Sequence, residues 1–397
     1  MDPRNNPFSP GAGTPPPELA GRDDIIERTE ISLHRIALGR PARSLILYGL
    51  RGVGKTVLLH RMREIAEGEN YLTVVIEAPE DRSLPAILGP SLRTSLIKMS
   101  KLKQTQDVVT TGLNKAKAAL ASFIRAAKIK FDDIEVNIDF DAEEGLADSG
   151  DFESDLSDLL ISVGESAKAY NKPLVLIIDE LQYIPENQLS ALITALHRAS
   201  QRQLPITLIG AGLPQLLAQM GQAKSYAERL FEFVAIGALD NQAAKQAIEI
   251  PLKHEGANIE ANATEEVIKQ TQGYPYFVQE WGKHIWDLAE CSPFSLNDVL
   301  MASDIALSEL DESFFRVRFD RLTPAEKRYM RAMAELGEGP HRSSDISEIL
   351  GKSASAVAPI RARLITKGMI YSPSHGDTSF TVPLFDGFMK RIIPEFI

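Results

Sequence analysis

Gly49-Leu50-Arg51-Gly52-Val53-Gly54-Lys55-Thr56 follows directly on the apolar run Ser44-Leu45-Ile46-Leu47-Tyr48 and opens a stretch with helical spacing at 55–67. These eight residues fit G-x-x-x-x-G-K-[ST], the pattern of a phosphate-binding loop between a strand and a helix. Its glycines let the backbone curl so that successive N–H groups face phosphate oxygens. The start of the following helix adds about half a positive charge. In this geometry Lys55 reaches the β- and γ-phosphates of a nucleotide and the Thr56 hydroxyl ligates Mg²⁺. A chance match in a chain this long arises about once in a hundred. The strand-loop-helix setting further disfavours a plain glycine-rich turn with a surface lysine.

A second element lies downstream, where the buried run Leu174-Val175-Leu176-Ile177-Ile178 ends in Asp179-Glu180. Carboxylates at the C-terminal end of a parallel strand face the crevice in which such sheets bind ligands. Asp179 is expected to hold Mg²⁺, directly or through water, and Glu180 to polarise an attacking water. The alternative is that the two acids merely cap the next loop. Beside a phosphate loop, the acid pair predicts hydrolysis and not binding alone.

Outward from these motifs, short apolar strands at 44–48, 71–76, 173–178 and 206–209 alternate with helical patterns at 23–38, 55–67 and 186–202. That alternation predicts an α/β fold with a parallel sheet covered on both faces. Residues 1–20 hold six prolines and read as a flexible lead or an extended strap. Residues 21–238 form the expected core, 239–312 a helical lid broken near Gly256 and at Gly273-Tyr274-Pro275, and 313–397 a C-terminal module. In that module, helices at 324–335, 343–350 and 354–367 precede strands at 369–372 and 379–382, joined by a turn at Ser374-His375-Gly376-Asp377. This is the outline of a winged helix-turn-helix. A charged insert at about 98–158 has a basic half (eight Lys/Arg over 98–130) and an acidic half (twelve Asp/Glu over 131–158). It reads as a solvated helix and a loop that pair with each other, or as a regulated contact surface.

Composition narrows the function classes. The 397 residues are 44% hydrophobic and 24% charged with a net charge of −11, so the whole chain has no nucleic-acid-binding charge and any such surface must be local. The single cysteine, Cys291, excludes an internal disulfide and a thiolate metal cage, which suits a reducing compartment. The longest purely apolar run is far shorter than a membrane helix requires, and Met1-Asp2-Pro3-Arg4-Asn5-Asn6 does not begin a signal peptide, so a cytoplasmic protein without membrane contact is expected. The seven histidines form no pair at metal-ligand spacing. Trp281, Trp286, Tyr274, Tyr276 and Phe277 read as lid core.

Taken together, Glu18-Leu19-Ala20-Gly21-Arg22-Asp23, Leu47–Thr56 and Ile177-Ile178-Asp179-Glu180 resemble AAA+ ATPases of the origin-recognition/initiator clade, especially their bacterial and archaeal relatives near the STAND signalling ATPases. The resemblance spans roughly residues 18–397 and implies an ATPase core, a helical lid and a C-terminal winged helix, with ATP and Mg²⁺ as ligands. It implies nucleotide contacts from Gly49, Leu50, Arg51, Gly52, Val53, Gly54, Lys55 and Thr56, with Arg22 near the adenine and Pro275 where the lid meets the nucleotide. Arg229, in Tyr226-Ala227-Glu228-Arg229-Leu230-Phe231, matches an arginine finger that reaches the γ-phosphate held by a neighbouring copy. A surface pairing with Glu228 or Glu232 is the alternative. Two departures stand out: no lid arginine has an obvious place as a second sensor, and the strand at 206–209 ends Gly210-Ala211-Gly212-Leu213-Pro214, without the polar residue of a first sensor. Both imply slow, switch-like turnover.

Residues 316–397 carry 13 Lys/Arg against 9 Asp/Glu. Lys352, Ser353, Ser355, Arg361, Arg363 and Lys367 are therefore the candidate contacts of a recognition helix with duplex DNA. Two functions stay open: an ATP switch coupled to DNA binding and self-association, and a nucleotide-gated signalling or scaffold ATPase whose winged helix docks a protein. A small-molecule phosphotransferase is disfavoured because no substrate-reading motif is visible.

Overall fold

The computed structural model describes residues 1–78, 82–102, 107–130, 140–374 and 376–395. Strands β1 (Ser44–Tyr48), β2 (Leu72–Glu77), β3 (Leu174–Asp179), β4 (Ile206–Gly212) and β5 (Phe231–Ala235) form one all-parallel sheet in the order β2-β3-β4-β1-β5. The three inner strands are buried almost throughout, whereas β2 at the edge alternates buried and exposed positions. Continuous Leu/Ile/Val runs are what a strand covered on both faces requires. Strand β5 is not legible from the sequence: it has five residues, of which only Phe231 and Val234 are buried, and it directly follows the single-turn helix Ala227–Leu230. The order places β4 between β1 and β3. The loop after β1 and the acids ending β3 therefore sit at the same edge of the sheet, two strand spacings or about 10 Å apart.

The chain divides into two compact units, one of residues 22–49 and 55–236, the other of residues 1–21, 50–54 and 237–397. In the first, the charged segment at 98–158 departs from expectation. Helix Asp107–Lys130 buries Leu113, Ala116, Leu120, Phe123 and Ile124 in the same core as β2 and β3, between helices Leu84–Ser100 and Phe152–Ala169. Lys115 and Arg125 are exposed on the opposite side of this amphipathic helix, and Lys117 is half-buried, so this helix is part of the core fold. Among the acids, Asp155 accepts from Ser149 N and Oγ at 2.7 Å each and organises its own helix entry, while Glu153 pairs with Lys224 at 3.0 Å. Residues 131–139, which hold part of the acidic run, lie outside the described residues.

In the second unit, helices Asn241–His254, Ala261–Thr271, Pro275–Leu288 and Leu296–Leu310 are followed by a π-turn at Asp311–Phe315 and helix Arg316–Asp320. Then come helices Pro324–Glu335, Ser343–Ile349, Ala354–Thr366 and Phe385–Ile392. A small antiparallel sheet of β6 (His341–Arg342), β7 (Ile370–Tyr371) and β8 (Asp377–Phe380) has the order β6-β8-β7. The turn residue His375 lies outside the described residues. The lid and the C-terminal module, expected as separate domains, form one unit because the helix passes from one to the other without a break. There Phe315 meets Phe277 and Phe385 edge-to-face and stacks on Phe388, at 5.3–6.2 Å between ring centroids.

The proline-rich start is a strap. Phe8 is 4% exposed and packs on Gly282, Trp286 Nε1 donates to Asp2 O at 2.8 Å, and Asn6 Nδ2 donates to Lys283 O and Asp287 Oδ1. Of the two readings of residues 1–20, these contacts favour the extended strap for residues 1–9, which lie along helix Pro275–Leu288.

Candidate functional site

The site grows from the end of β1. Gly49 N donates to Gly212 O at 3.1 Å, tying the start of the loop to the end of β4. Helix Lys55–Gly68 begins at once, with Lys55 buried and its ammonium donating to Gly49 O at 2.9 Å. One residue on, Thr56 Oγ1 donates to Asp179 Oδ2 at 2.6 Å. Thr56 and Asp179 are 123 residues apart in sequence, and the strand order brings them together. A hydroxyl and a carboxylate in contact are the hard oxygen donors that suit Mg²⁺, so the residues fit the ion that this pattern implies. Burial raises the Asp179 carboxyl above its ordinary value, with the neighbouring charge of Glu180 adding to it, against the pull of the Thr56 hydrogen bond and the Lys55 charge.

Glu180 follows with φ of 55°, left-handed backbone that is uncommon for a residue with a side chain and recurs at functional turns. Its amide donates to Asp179 Oδ1 at 2.8 Å. Sequence reasoning missed the residue that positions it. Gln182, 7% exposed, donates through Nε2 to Glu180 Oε2 and accepts through Oε1 from Leu213 N at 3.0 Å, so it ties Glu180 to the end of β4. The same crossing explains why β4 ends without a polar side chain. A Cβ on Gly210 would fall 2.2 Å from Leu181 Cδ1, and one on Gly212 would fall 2.7 Å from Gln182 Oε1. The space that a first-sensor side chain would need holds the Leu181-Gln182 turn.

The tip of the loop, residues 50–54, belongs to the second compact unit. Gly52 and Gly54 take φ of +83° and +91°, conformations that glycine alone adopts readily. Gly52 O accepts from Tyr276 N at 3.2 Å, one residue after Pro275, and Arg51 N donates to Thr381 O at 3.3 Å. The Tyr274 ring packs over Gly52, and Val53 is 2% exposed. The Gly273-Tyr274-Pro275 element is thus a helix start, with Pro275 in the first turn, that seats its neighbours on Gly52. Leu50 is the first residue of this tip and follows Gly49 in the chain.

The remaining candidates divide clearly. Arg22 is buried as the residue preceding helix Asp23–Ala37. Arg229 is exposed and makes no ion pair among the described residues, because Glu232 pairs instead with Arg28 at 3.5 Å. The basic residues of helix Ala354–Thr366 are engaged within their own unit. Arg361 donates to Thr378 Oγ1, Ser372 Oγ and Asp377 O, each at 2.8 Å, and so fastens the helix to the β7–β8 hairpin. Lys367 and Arg363 both pair with the fully buried Glu326, at 2.8 and 3.5 Å. Burial opposes ionisation of Glu326, but Lys367 together with the Thr323 amide and hydroxyl holds its carboxyl below the usual range. Ser353 caps the helix by accepting from Ala356 N and contacts Ser355 Oγ at 3.0 Å. Lys352, Ser353 and Ser355 are exposed. Arg361, a candidate DNA contact, thus also has a structural part in joining its helix to the hairpin.

Residues 18–209 match the model of the AAA ATPase domain, and residues 312–389 match a domain of unknown function (DUF8462). No curated protein sequence matches the chain. Among solved structures, the Walker-type ATPase PABY2304 of Pyrococcus abyssi is 16% identical with a TM-score of 0.58, the alignment covering 96% of this chain and 99% of that one. The RuvB Holliday junction branch migration motor of Thermotoga maritima is 15% identical with a TM-score of 0.44, covering 91% and 92%. Aeropyrum pernix Orc1, solved in complex with DNA, is 13% identical with a TM-score of 0.46, covering 95% and 94%. No helix among the described residues is long and apolar enough to cross a membrane. The domain match at 18–209, the all-parallel sheet and the Lys55-Thr56-Asp179 arrangement agree on an α/β P-loop fold, and over residues 18–209 the chain is similar to the AAA ATPase domain.

Proposed function

We propose that the protein is a cytoplasmic MgATP-binding switch that hydrolyses ATP slowly. The 2.6 Å contact of Thr56 with Asp179, directly after the buried Lys55, carries this reading. Bound Mg²⁺ would supply charge neutralisation between the phosphates, held by Thr56 and Asp179. Lys55 then turns from Gly49 O toward the phosphates, and backbone amides of residues 49–54 line the loop. Glu180, aimed by Gln182, accepts a proton from the attacking water. The absence of a first-sensor side chain supports slow turnover. Exposed, unengaged Arg229 supports a role in trans, on the nucleotide of a second copy.

The output is read through residues 313–397. Their order of helix, strand, helix, helix and hairpin supports a winged helix, and the exposed Lys352, Ser353 and Ser355 at the start of its third helix support a duplex-DNA contact. A second reading, docking of a protein partner, is favoured by one observation: Arg361 and Lys367 are engaged internally. The contacts of Gly52 with Tyr276 and of Arg51 with Thr381 support coupling of the nucleotide loop to this output.

The test is fluorescence anisotropy of labelled duplex DNA without nucleotide, with ADP and with a non-hydrolysable ATP analogue, at two salt concentrations. Lys55→Ala serves as the nucleotide control, and Lys352→Glu with Ser355→Glu as the surface variant. The DNA reading expects ATP-dependent binding that weakens steeply with salt and is lost in both variants. Nucleotide binding without DNA retention in any state would overturn it in favour of the protein partner. Failure of the wild type to bind MgATP would overturn the switch itself.

A further inference from the structure

Outside the nucleotide site, helix Pro275–Leu288 and helix Leu296–Leu310 bring three ligand-type side chains together. Glu280 and His284 are one turn apart on the first helix, and Glu309 comes from the second; one ligand atom from each lies within 4.8 Å of the others. His284 is 5% exposed and Glu280 13%, whereas Glu309 is 58% exposed, so the cluster is buried on one side and open to water on the other. His284 Nε2 lies 3.3 Å from Glu309 Oε2 and 3.9 Å from Glu280 Oε2, yet it makes no hydrogen bond with directional geometry. A buried imidazole nitrogen without a partner is costly. Here it points into a space bordered by two carboxylates, which repel each other unless a cation lies between them.

We propose that Glu280, His284 and Glu309 form a site for one divalent transition-metal ion, zinc foremost. Zinc takes imidazole and carboxylate ligands at about 2.0–2.2 Å in a tetrahedral arrangement, which sets ligand atoms roughly 3.3–3.5 Å apart. The 3.3 Å pair already has this spacing, and the exposed Glu309 side chain is free to adjust for the other two. Three protein ligands leave a fourth position open to water. The imidazole excludes Mg²⁺, which prefers oxygen ligands throughout. Tyr276 supplies the outer support. Its hydroxyl donates a hydrogen bond to Glu280 and orients that ligand. Trp281 Nε1, donating to Ser303 Oγ at 2.9 Å, already joins the same two helices beside the cluster. The ion therefore clamps the helix whose first turn holds Gly52 O through Tyr276 N.

The site does not depend on the nucleotide reading, and its test avoids activity. Untagged full-length protein carrying Asp179→Asn, which removes the Mg²⁺ ligand of the nucleotide site, is stripped of metal and titrated with Co²⁺. The expected result is one Co²⁺ per chain with visible absorption bands, displaced by Zn²⁺ and unaffected by a large molar excess of Mg²⁺. Adding Glu309→Gln should weaken binding at least about tenfold, and adding His284→Asn should abolish the bands. Zn²⁺ should raise the melting temperature only while Glu309 is present. Should His284→Asn fail to fold by circular dichroism, the surface variant Glu309→Gln decides alone. Absence of Co²⁺ binding, displacement by Mg²⁺, or unchanged affinity in Glu309→Gln would overturn the proposal.

Discussion

Substituting alanine separately at Gly52 and Gly54 tests the coupling between the phosphate loop and the helical elements around it. Both glycines have left-handed backbone, so each substitution carries the same conformational penalty, about 1–2 kcal/mol. They differ in what the new methyl group meets. At Gly54 nothing lies within 4 Å. At Gly52 the Cβ would stand 3.2 Å from Tyr276 Cβ and 3.4 Å from the Tyr274 ring. Overpacking of this kind adds roughly 1–3 kcal/mol. In a unit of this size 1 kcal/mol lowers the melting temperature by about 2–4 °C. Gly52→Ala should therefore melt roughly 2–12 °C below Gly54→Ala in the absence of nucleotide. The order should reverse for MgATP affinity, because a methyl at Gly54 enters the open side of the loop where phosphate is expected. Differential scanning fluorimetry and nucleotide titration of the two variants provide the measurements. Equal melting temperatures would show that Tyr274 and Tyr276 do not hold the loop in solution, and would remove the basis for nucleotide-dependent coupling through Gly52.

Asp179→Asn should raise the stability of the nucleotide-free protein at neutral pH while eliminating hydrolysis. Burial raises the folded-state pKa of Asp179, so the folded protein holds that proton more tightly than the unfolded chain. The wild type loses this contribution as pH rises from the unfolded carboxyl value, 3.8, through the raised folded value, so the gap between variant and wild type should open over that interval in melting curves. Gln182→Met should reduce the rate of hydrolysis about 10- to 100-fold with MgATP affinity nearly unchanged, because it frees Glu180 without touching the phosphate loop; a loss confined to affinity would refute the positioning role. Arg361→Ala should lower stability by about 1–3 kcal/mol through three lost hydrogen bonds to the hairpin, whereas Lys352→Ala on the surface should change it by less than about 0.5 kcal/mol. Denaturant midpoints compare the pair. Phe8→Ala should cost about 3–5 kcal/mol and release the N-terminal strap, which limited proteolysis would detect as early cleavage.

The elements and motifs that depend on local chemistry were readable from residue order alone. The run Ser44–Tyr48, the loop of left-handed glycines and the helix beginning at Lys55 are fixed by apolar continuity and backbone preference within a dozen residues, and β3 with its terminal acids obeys the same logic. That Asp179 belongs with Thr56 was legible only as an expectation, because the contact requires β4 to separate their strands in the sheet. Three things were decided by tertiary structure. Gln182 looks like any loop glutamine until β4 passes beneath it with two glycines. Arg361 and Lys367 look like surface cations until the hairpin and buried Glu326 take their charges. The basic run at 107–130 looks solvated until its other face is packed into the core. In each case the residue's role depends on a partner far away in the chain, and neither composition nor periodicity carries the identity of that partner. Propensity acts along the chain, whereas hydrogen bonds, ion pairs and close packing act across it.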